Sequence, residues 1–268
     1  MLAKILHEKM TITKKVCLAA AFAILSSPAF AQDKQTMFNG ATNLQIFYDF
    51  GKDRGIMTTT LEGFYSDPWG NTFFFVDYDH AFGSAHPSGT YTEIARCFNF
   101  WQDTALAPLS LQAEYNGGVY RNFGVNHAFL AGVDWFVHSK DFKNLFNFKL
   151  LYKHIIYDNP AVKSKIPMQF TVVWGMDDLF GVKGLRFSGF GDIWAEEHTL
   201  LTAADGSALA APENSSFIFI SEPQLWYSVG QHFGCPNLNI GGEVELSWNF
   251  GTCKGFWARP CAGIKWIF

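Results

Sequence analysis

The chain lacks long apolar runs. Beyond residue 31 it has no uninterrupted apolar stretch of about 18 residues, so it has no candidate transmembrane helix there. Charge is sparse too, with Asp, Glu, Lys and Arg together at 16% and a formal net charge of −4. Residues 1–31 hold four lysines and one glutamate, so the remainder carries about −7, an acidic balance that argues against a nucleic-acid partner. No Cys-x-x-Cys pair or zinc-ligand spacing occurs, so neither metal nor cofactor is expected. Neither a Gly-x-Ser-x-Gly elbow nor a His-Glu-x-x-His pair is present. Asp192, Glu196, Glu197 and His198 crowd one segment, but carboxylates at a solvated rim explain them without a metal. The expectation is a protein that is not an enzyme.

Aromatic residues are abundant instead, with 28 Phe, 9 Trp and 9 Tyr. Apolar residues make up 49% of the chain, yet mean hydropathy is only +0.04, so apolar and polar residues are finely mixed. The N-terminus reads as a signal peptide: Lys14 and Lys15, then an apolar core from Val16 to Leu25, then Ala29-Phe30-Ala31 as a small-x-small cleavage site. Residues 1–31 are therefore expected to be removed and 32–268 to form one domain; Met10 is an alternative start.

The dominant pattern is alternation with period two. From Leu238 to Phe250, Leu238, Ile240, Val244, Leu246, Trp248 and Phe250 fall on one face, and Asn239, Glu243, Glu245, Ser247 and Asn249 on the other. About twelve such segments are expected, at 43–50, 57–66, 71–79, 90–101, 109–117, 124–137, 145–157, 166–178, 185–197, 217–230, 238–250 and 256–268. Most match the roughly 9–11 residues that a tilted strand needs to cross a bilayer. The fold class is therefore all-β: an antiparallel transmembrane β-barrel of about twelve strands in the bacterial outer membrane, closed by pairing 43–50 with 256–268. Turns at the end carrying the termini should be short, and those at the other end long. Cys261-x-Gly263-x-x-Trp266-x-Phe268 is similar to the C-terminal signal of outer-membrane proteins, with Cys261 at its polar position. It points to the outer-membrane assembly machinery and membrane lipid as partners.

Successive side chains alternate across a strand, so parity assigns the faces. With Ile264, Trp266 and Phe268 outward, the inward set includes Phe47, Asp49, Glu62, Phe64, Phe73, Phe75, Asp77, Asp79, Glu93, Glu114, Asp192, Trp194, Glu222, Glu243 and Glu245, against Lys149, Lys153, Arg186, Arg259 and Lys265. Arg96 breaks the rule, because parity sends it toward lipid, and either a bulge or an interfacial position is required. Cys97, Cys235, Cys253 and Cys261 fall on separate strands and opposite turns, so free thiols are expected.

Inward phenylalanines beside carboxylates suit a solute with a planar ring and hydroxyls, and equally suit packing against inserted loops. The candidate binding residues are Phe47, Asp49, Glu62, Phe73, Phe75, Asp77, Asp79, Glu93, Trp194, Glu243 and Glu245. The runs Asn43-Leu44-Gln45-Ile46-Phe47-Tyr48-Asp49, Gly70-Asn71-Thr72-Phe73-Phe74-Phe75-Val76-Asp77 and Thr92-Glu93-Ile94-Ala95-Arg96 resemble the opening strands of the nucleoside-specific outer-membrane channels, the Tsx-like family. The resemblance is one of pattern more than identity, and implies a passive channel with nucleoside sites in its lumen and a small-molecule solute as partner. A plugged structural or adhesive barrel, and a barrel enzyme working from scattered residues, stay open as alternatives.

Overall fold

The computed structural model describes residues 39–80, 86–120 and 124–268. The expected signal peptide, 1–31, lies outside the described residues. The first nine strands follow one another around the wall: β1 (Asn39–Asp49), β2 (Met57–Asp67), β3 (Gly70–His80), β4 (Pro87–Phe98), β5 (Leu109–Tyr120), β6 (Gly124–His138), β7 (Asn144–Ile156), β8 (Met168–Asp177) and β9 (Leu185–Trp194). A small hairpin follows, β10 (His198–Thr202) with β11 (Ala208–Ser215). Then come β12 (Ile218–Ser221), β13 (Gln224–Tyr227), β14 (Leu238–Trp248) and β15 (Phe256–Ile267).

Every neighbouring pair in the wall is antiparallel, and β1 closes on β15 with Asn43 opposite Ile267 and Asp49 opposite Cys261. Closure leaves no open edge; in lipid, each unpaired backbone group would cost several kcal/mol. β12 and β13 are two halves of one wall strand, which makes the barrel twelve-stranded. Pro223 has no N–H to donate and interrupts the ladder. Register survives the break: Ser221 pairs with Gly191 and Gln224 with Ser188 on β9, while the same two residues pair with Leu246 and Glu243 on β14.

The outward faces are apolar. Ile46, Leu61, Leu111, Val133, Leu150, Phe170, Ile193, Ile240 and Ile264 are exposed around the wall. Aromatic residues gather toward both rims. Tyr48 packs edge-on against Phe50 at the loop end, and Trp69, Phe98 and Phe100 cluster at the end carrying β1's start and β15's finish. An apolar band with aromatic girdles is what a lipid environment selects in a barrel, and it places this one in the outer membrane.

Three expectations need correction. The connection 199–216 contains the β10–β11 hairpin, which its Ala/Ser-rich composition did not announce. Turn length does not follow the expected alternation. Residues 99–108, at the terminal end, form a long turn held by Asn99 Nδ2 to the Ala107 carbonyl (2.7 Å) and Trp101 Nε1 to the Leu109 carbonyl (2.8 Å). At the loop end, only residues 121–123 separate β5 from β6. Finally, the strand expected at 90–101 stops at Phe98. β4 carries no bulge near Arg96, which pairs with Thr72 and Ala113 on the outward parity. Of the two accounts of Arg96, the interfacial one holds.

Candidate lumen site

The inward residues fall into sectors of different character. Where β14, β15 and β1 meet at the loop end, the turn 50–56 folds in and meets the wall. Arg54 donates from Nη1 to Asp49 Oδ2 (3.1 Å) and from Nη2 to Glu245 Oε2 (2.7 Å). Arg259, nearly fully buried, pairs with Glu245 and donates from Nη2 to Asp53 Oδ2 (2.8 Å). The Gly51 N–H donates to Asp49 Oδ1 (2.6 Å). Burial pushes the Asp53 carboxyl up, but hydrogen bonds and charge from Arg259 outweigh it, and the group sits below its ordinary range.

Further along this sector, Phe47 lies against Gly263. A Cβ there would come within 2.7 Å of the Phe47 ring, so only glycine leaves the ring room. Phe47 packs on Trp226 with centroids 5.5 Å apart, and the Lys265 ammonium sits 4.2 Å above the Trp226 ring. A second sector, on β6, β7, β9 and β12 toward the loop end, is an apolar cluster of Ala128, Leu130, Leu151, Ile155, Trp194, Ile218 and Ile220. Trp194 is covered by Lys153, whose Nζ lies 4.0 Å from its ring centre, and its Nε1 donates to Glu196 Oε2 (2.8 Å). Toward the terminal end, Asn147 Nδ2 donates to both oxygens of Asp134 (2.9 and 2.8 Å), and Gln112 Nε2 donates to Glu114 Oε2 (2.6 Å).

The remaining sector is the least filled. Phe73, Phe75, Asp77, Asp79, Tyr91 and Glu93 run down the inner face of β3 and β4, all half-buried. Phe73 and Phe75 stand 5.9 Å apart and Phe75 and Tyr91 5.7 Å, a continuous aromatic stripe. Asp77 accepts from Thr60 Oγ1 (2.5 Å) and Asp79 from Thr58 Oγ1 (2.7 Å). On the opposing wall stand Asp192, Glu222 and Glu243, the last accepting from Gln224 Nε2 (2.7 Å). Glu93 feels the charge of Asp192, and Glu222 that of Asp77, although these strands do not pair. Among the described residues no cation lies within 4.0 Å of Glu62, Asp77, Asp79, Glu93, Asp192, Glu222 or Glu243.

The candidate residues thus divide. Phe73, Phe75, Asp77, Asp79 and Glu93 form one patch, with Glu243 on the wall opposite and Glu62 beside it, accepting from Asn43 Nδ2 (2.8 Å). Asp49 and Glu245 are engaged by arginines, and the Phe47 and Trp194 rings are covered, at 3% and 8% exposure. Asp53, Arg54, Tyr91 and Trp226 were not anticipated. Parity would have found Tyr91, two residues from Glu93, and Trp226, four from Glu222. Asp53 and Arg54 lie in a turn, where parity does not reach. The Glu196–His198 segment gathers no ligand set among the described residues: His198 directs its two ring nitrogens at the carbonyls of Glu196 (2.8 Å) and Asn249 (2.7 Å).

A family model matches residues 41–268. The chain belongs to the family described as Domain of unknown function (DUF5020). No curated protein sequence matches this DUF5020 member. Among solved structures it is similar to the KdgM porin, at 9% identity over 85% of this chain and 99% of that one, with a TM-score of 0.44. It is also similar to the Acinetobacter baumannii outer membrane protein Omp33, at 12% identity over 86% and 98%, TM-score 0.37. A third similar structure is Pseudomonas aeruginosa OccK5 (OpdH), at 11% identity over 84% and 62%, TM-score 0.36.

Proposed function

We propose that this DUF5020 barrel is a passive, non-enzymatic outer-membrane channel for small solutes, with nucleosides as the first candidates. On this reading residues 1–31 are a removed signal peptide and 32–268 are the mature barrel. The observation that carries it is the β3–β4 stripe: half-buried rings of Phe73, Phe75 and Tyr91 beside carboxylates that, among the described residues, no cation approaches within 4.0 Å. A barrel that used its charges only as filler would pair them across the lumen, as the turn 50–56 does on its own sector. Aromatic faces stack planar rings, worth about 1–3 kcal/mol per base elsewhere. Asp77, Asp79 and Glu93 supply acceptors for sugar hydroxyls. The resemblance of the opening strands to the Tsx-like channels supports the same solute class.

The test is liposome swelling with the purified protein, comparing nucleosides with size-matched sugars and with nucleotides. Nucleosides should permeate fastest and nucleotides poorly, and Phe73→Ala with Phe75→Ala should remove the nucleoside advantage. Equal permeation that ignores both substitutions would leave a general diffusion pore. The apolar cluster around Leu151 and the ion network around Arg259 fill two sectors, and they favour a second reading, a structural barrel without flux. Absence of any swelling or conductance would support that reading.

A further inference from the structure

The turn 50–56 joins β1 to β2 at the loop end. Gly51 and Gly55 flank Lys52, Asp53 and Arg54, and Gly55 holds a φ of 124°, open to glycine and rarely to other residues. Its internal backbone bonding is slight: the Arg54 N–H reaches the Gly51 carbonyl (3.0 Å), and the Asp49 N–H reaches that of Ile56 (3.0 Å) at the base. The turn is tied to the wall at its start by the Phe50 N–H on the Pro260 carbonyl (2.9 Å). Beyond that, side-chain charge holds it inward, with Asp53 on Arg259 and Arg54 on the wall carboxylates. Arg54 bridges Asp49 and Glu245, two carboxylates whose side chains are 3% and 6% exposed. It also feels the charge of Asp79 on β3. Withdrawing Arg54 would leave Asp49 with no cation in ion-pair distance among the described residues, and Glu245 with Arg259 alone, which Asp53 shares. The vacated position is thus a preformed, two-carboxylate cradle that already holds a guanidinium.

We propose that Arg54 is the tethered occupant of a mouth site for guanidinium or ammonium groups, formed by Asp49 and Glu245, and that a solute bearing such a group displaces it and releases the turn. Asp49 cannot be left bare, because an unpaired buried charge is costly, and Glu245 would keep only the Arg259 that Asp53 shares. Release of Arg54 therefore requires a replacement cation, and a neutral solute cannot supply one. Arg54 on this account is both a latch and a filter at the acidic mouth. The turn's response to a cation stands apart from the channel reading, although its consequence for flux rests on it.

The experiment is hydrogen exchange of residues 50–56, read by mass spectrometry on the folded full-length barrel. Exchange is compared in methylguanidinium chloride, in methylurea, and in sodium chloride of matched ionic strength. Methylguanidinium should speed exchange of the turn several-fold; methylurea and salt should leave it slow. Arg54→Gln should exchange fast in every condition and respond to none, with the β5–β6 region unchanged as a control on folding. Equal exchange in methylguanidinium and methylurea, or a slow Arg54→Gln turn, would overturn the proposal. Single-channel recording on the same samples separates the two readings. A released turn without conductance would retain the mouth site and refute the channel, whereas conductance with an unresponsive turn would do the reverse.

Discussion

Arg96 sits on the lipid-facing parity of β4, yet it is 6% exposed and grips Asp67 with both guanidinium arms, at 2.6 and 2.9 Å. Asp67 closes β2 beside the tight turn into β3, so the pair stands at the rim of the barrel. Nη1 also reaches Thr72 Oγ1 (3.1 Å), and the guanidinium carbon lies 5.2 Å from the centre of the Phe98 ring. A charge that parity would send into lipid is carried in an interfacial pocket, with both terminal nitrogens hydrogen-bonded and an aromatic ring beside it.

Removing that charge should weaken the rim. Arg96→Ala leaves the Asp67 carboxylate without its cation, and hydrogen bonds to charged groups are worth about 1.5–3 kcal/mol. Asp67 is partly solvated, so the expected loss is toward the lower end, about 1–2 kcal/mol. The double variant Arg96→Leu with Asp67→Asn should recover much of it. Moving the charge two residues inward, as Ile94→Arg, should be worse, at about 2–4 kcal/mol for an arginine near mid-bilayer. Reversible urea unfolding in lipid vesicles measures all three. An Ile94→Arg barrel as stable as the parent would contradict the assigned depth of β4.

Legibility in the sequence followed the pleat. Leu238–Trp248 and Phe256–Ile267 alternate without interruption, and fixing Ile264 as outward placed Lys265, Arg259, Glu243 and Glu245 correctly on the inside. The same parity placed Phe47 and Trp194 inside but could not tell a lining ring from a packed one. That depends on what lies above the ring: Trp226 for Phe47, Lys153 for Trp194. Nor could it see Asp53 and Arg54. Their partners Arg259 and Glu245 are distant in sequence, and a turn between two glycines has no face to assign. The Glu222–Pro223 break was visible as a proline, but whether the strand resumed in register was set by its two neighbours.

Acid should loosen the 50–56 turn through Asp53. Its carboxyl titrates below its ordinary range in the folded barrel, because the interactions with Arg259 overcome its burial. A lowered value means that its stabilising contribution is complete above the unfolded value, near 3.9, and is lost as pH falls through the folded one. Exchange in the turn, corrected for its intrinsic pH dependence, should be flat between about pH 5 and 7 and rise below about pH 4. Asp53→Asn should show the loosened turn already at pH 7 and lose this acid step. An unchanged step in Asp53→Asn would assign it to another group.

Assembly should depend on Phe268. Its N–H donates to the Thr42 carbonyl (2.9 Å) on β1, and its ring is 69% exposed beyond Trp266, so it finishes the outward aromatic face at the seam where the barrel closes. If the final strand is what the outer-membrane assembly machinery reads, Phe268→Asp should pass the inner membrane normally and accumulate outside the outer-membrane fraction. Fractionation with protease protection reads this directly. Normal insertion of Phe268→Asp would remove the seam strand as the recognition element.

Charge selectivity offers the sharpest test of the lumen. Asp77 on β3 stands across the barrel from Glu222 and Glu243, and both of these feel its charge. Their hydrogen-bond donors, Thr60 for Asp77 and Gln224 for Glu243, are neutral. Rings of carboxylates at a constriction favour cations and repel anions. Low-dielectric walls focus that field, and such focusing changes local ion concentration by about tenfold or more. Planar bilayer recordings under a salt gradient should therefore give a cation-selective reversal potential. The triple variant Asp77→Asn, Glu222→Gln, Glu243→Gln should reduce the cation-to-anion permeability ratio on the order of tenfold, while unit conductance at high salt, where screening is strong, changes little. Loss of selectivity at low salt alone would tie the effect to fixed charge and not to a changed bore. If the parent pore shows no preference between cations and anions, these three carboxylates do not border the conducting path, and the path must run elsewhere in the lumen or not at all.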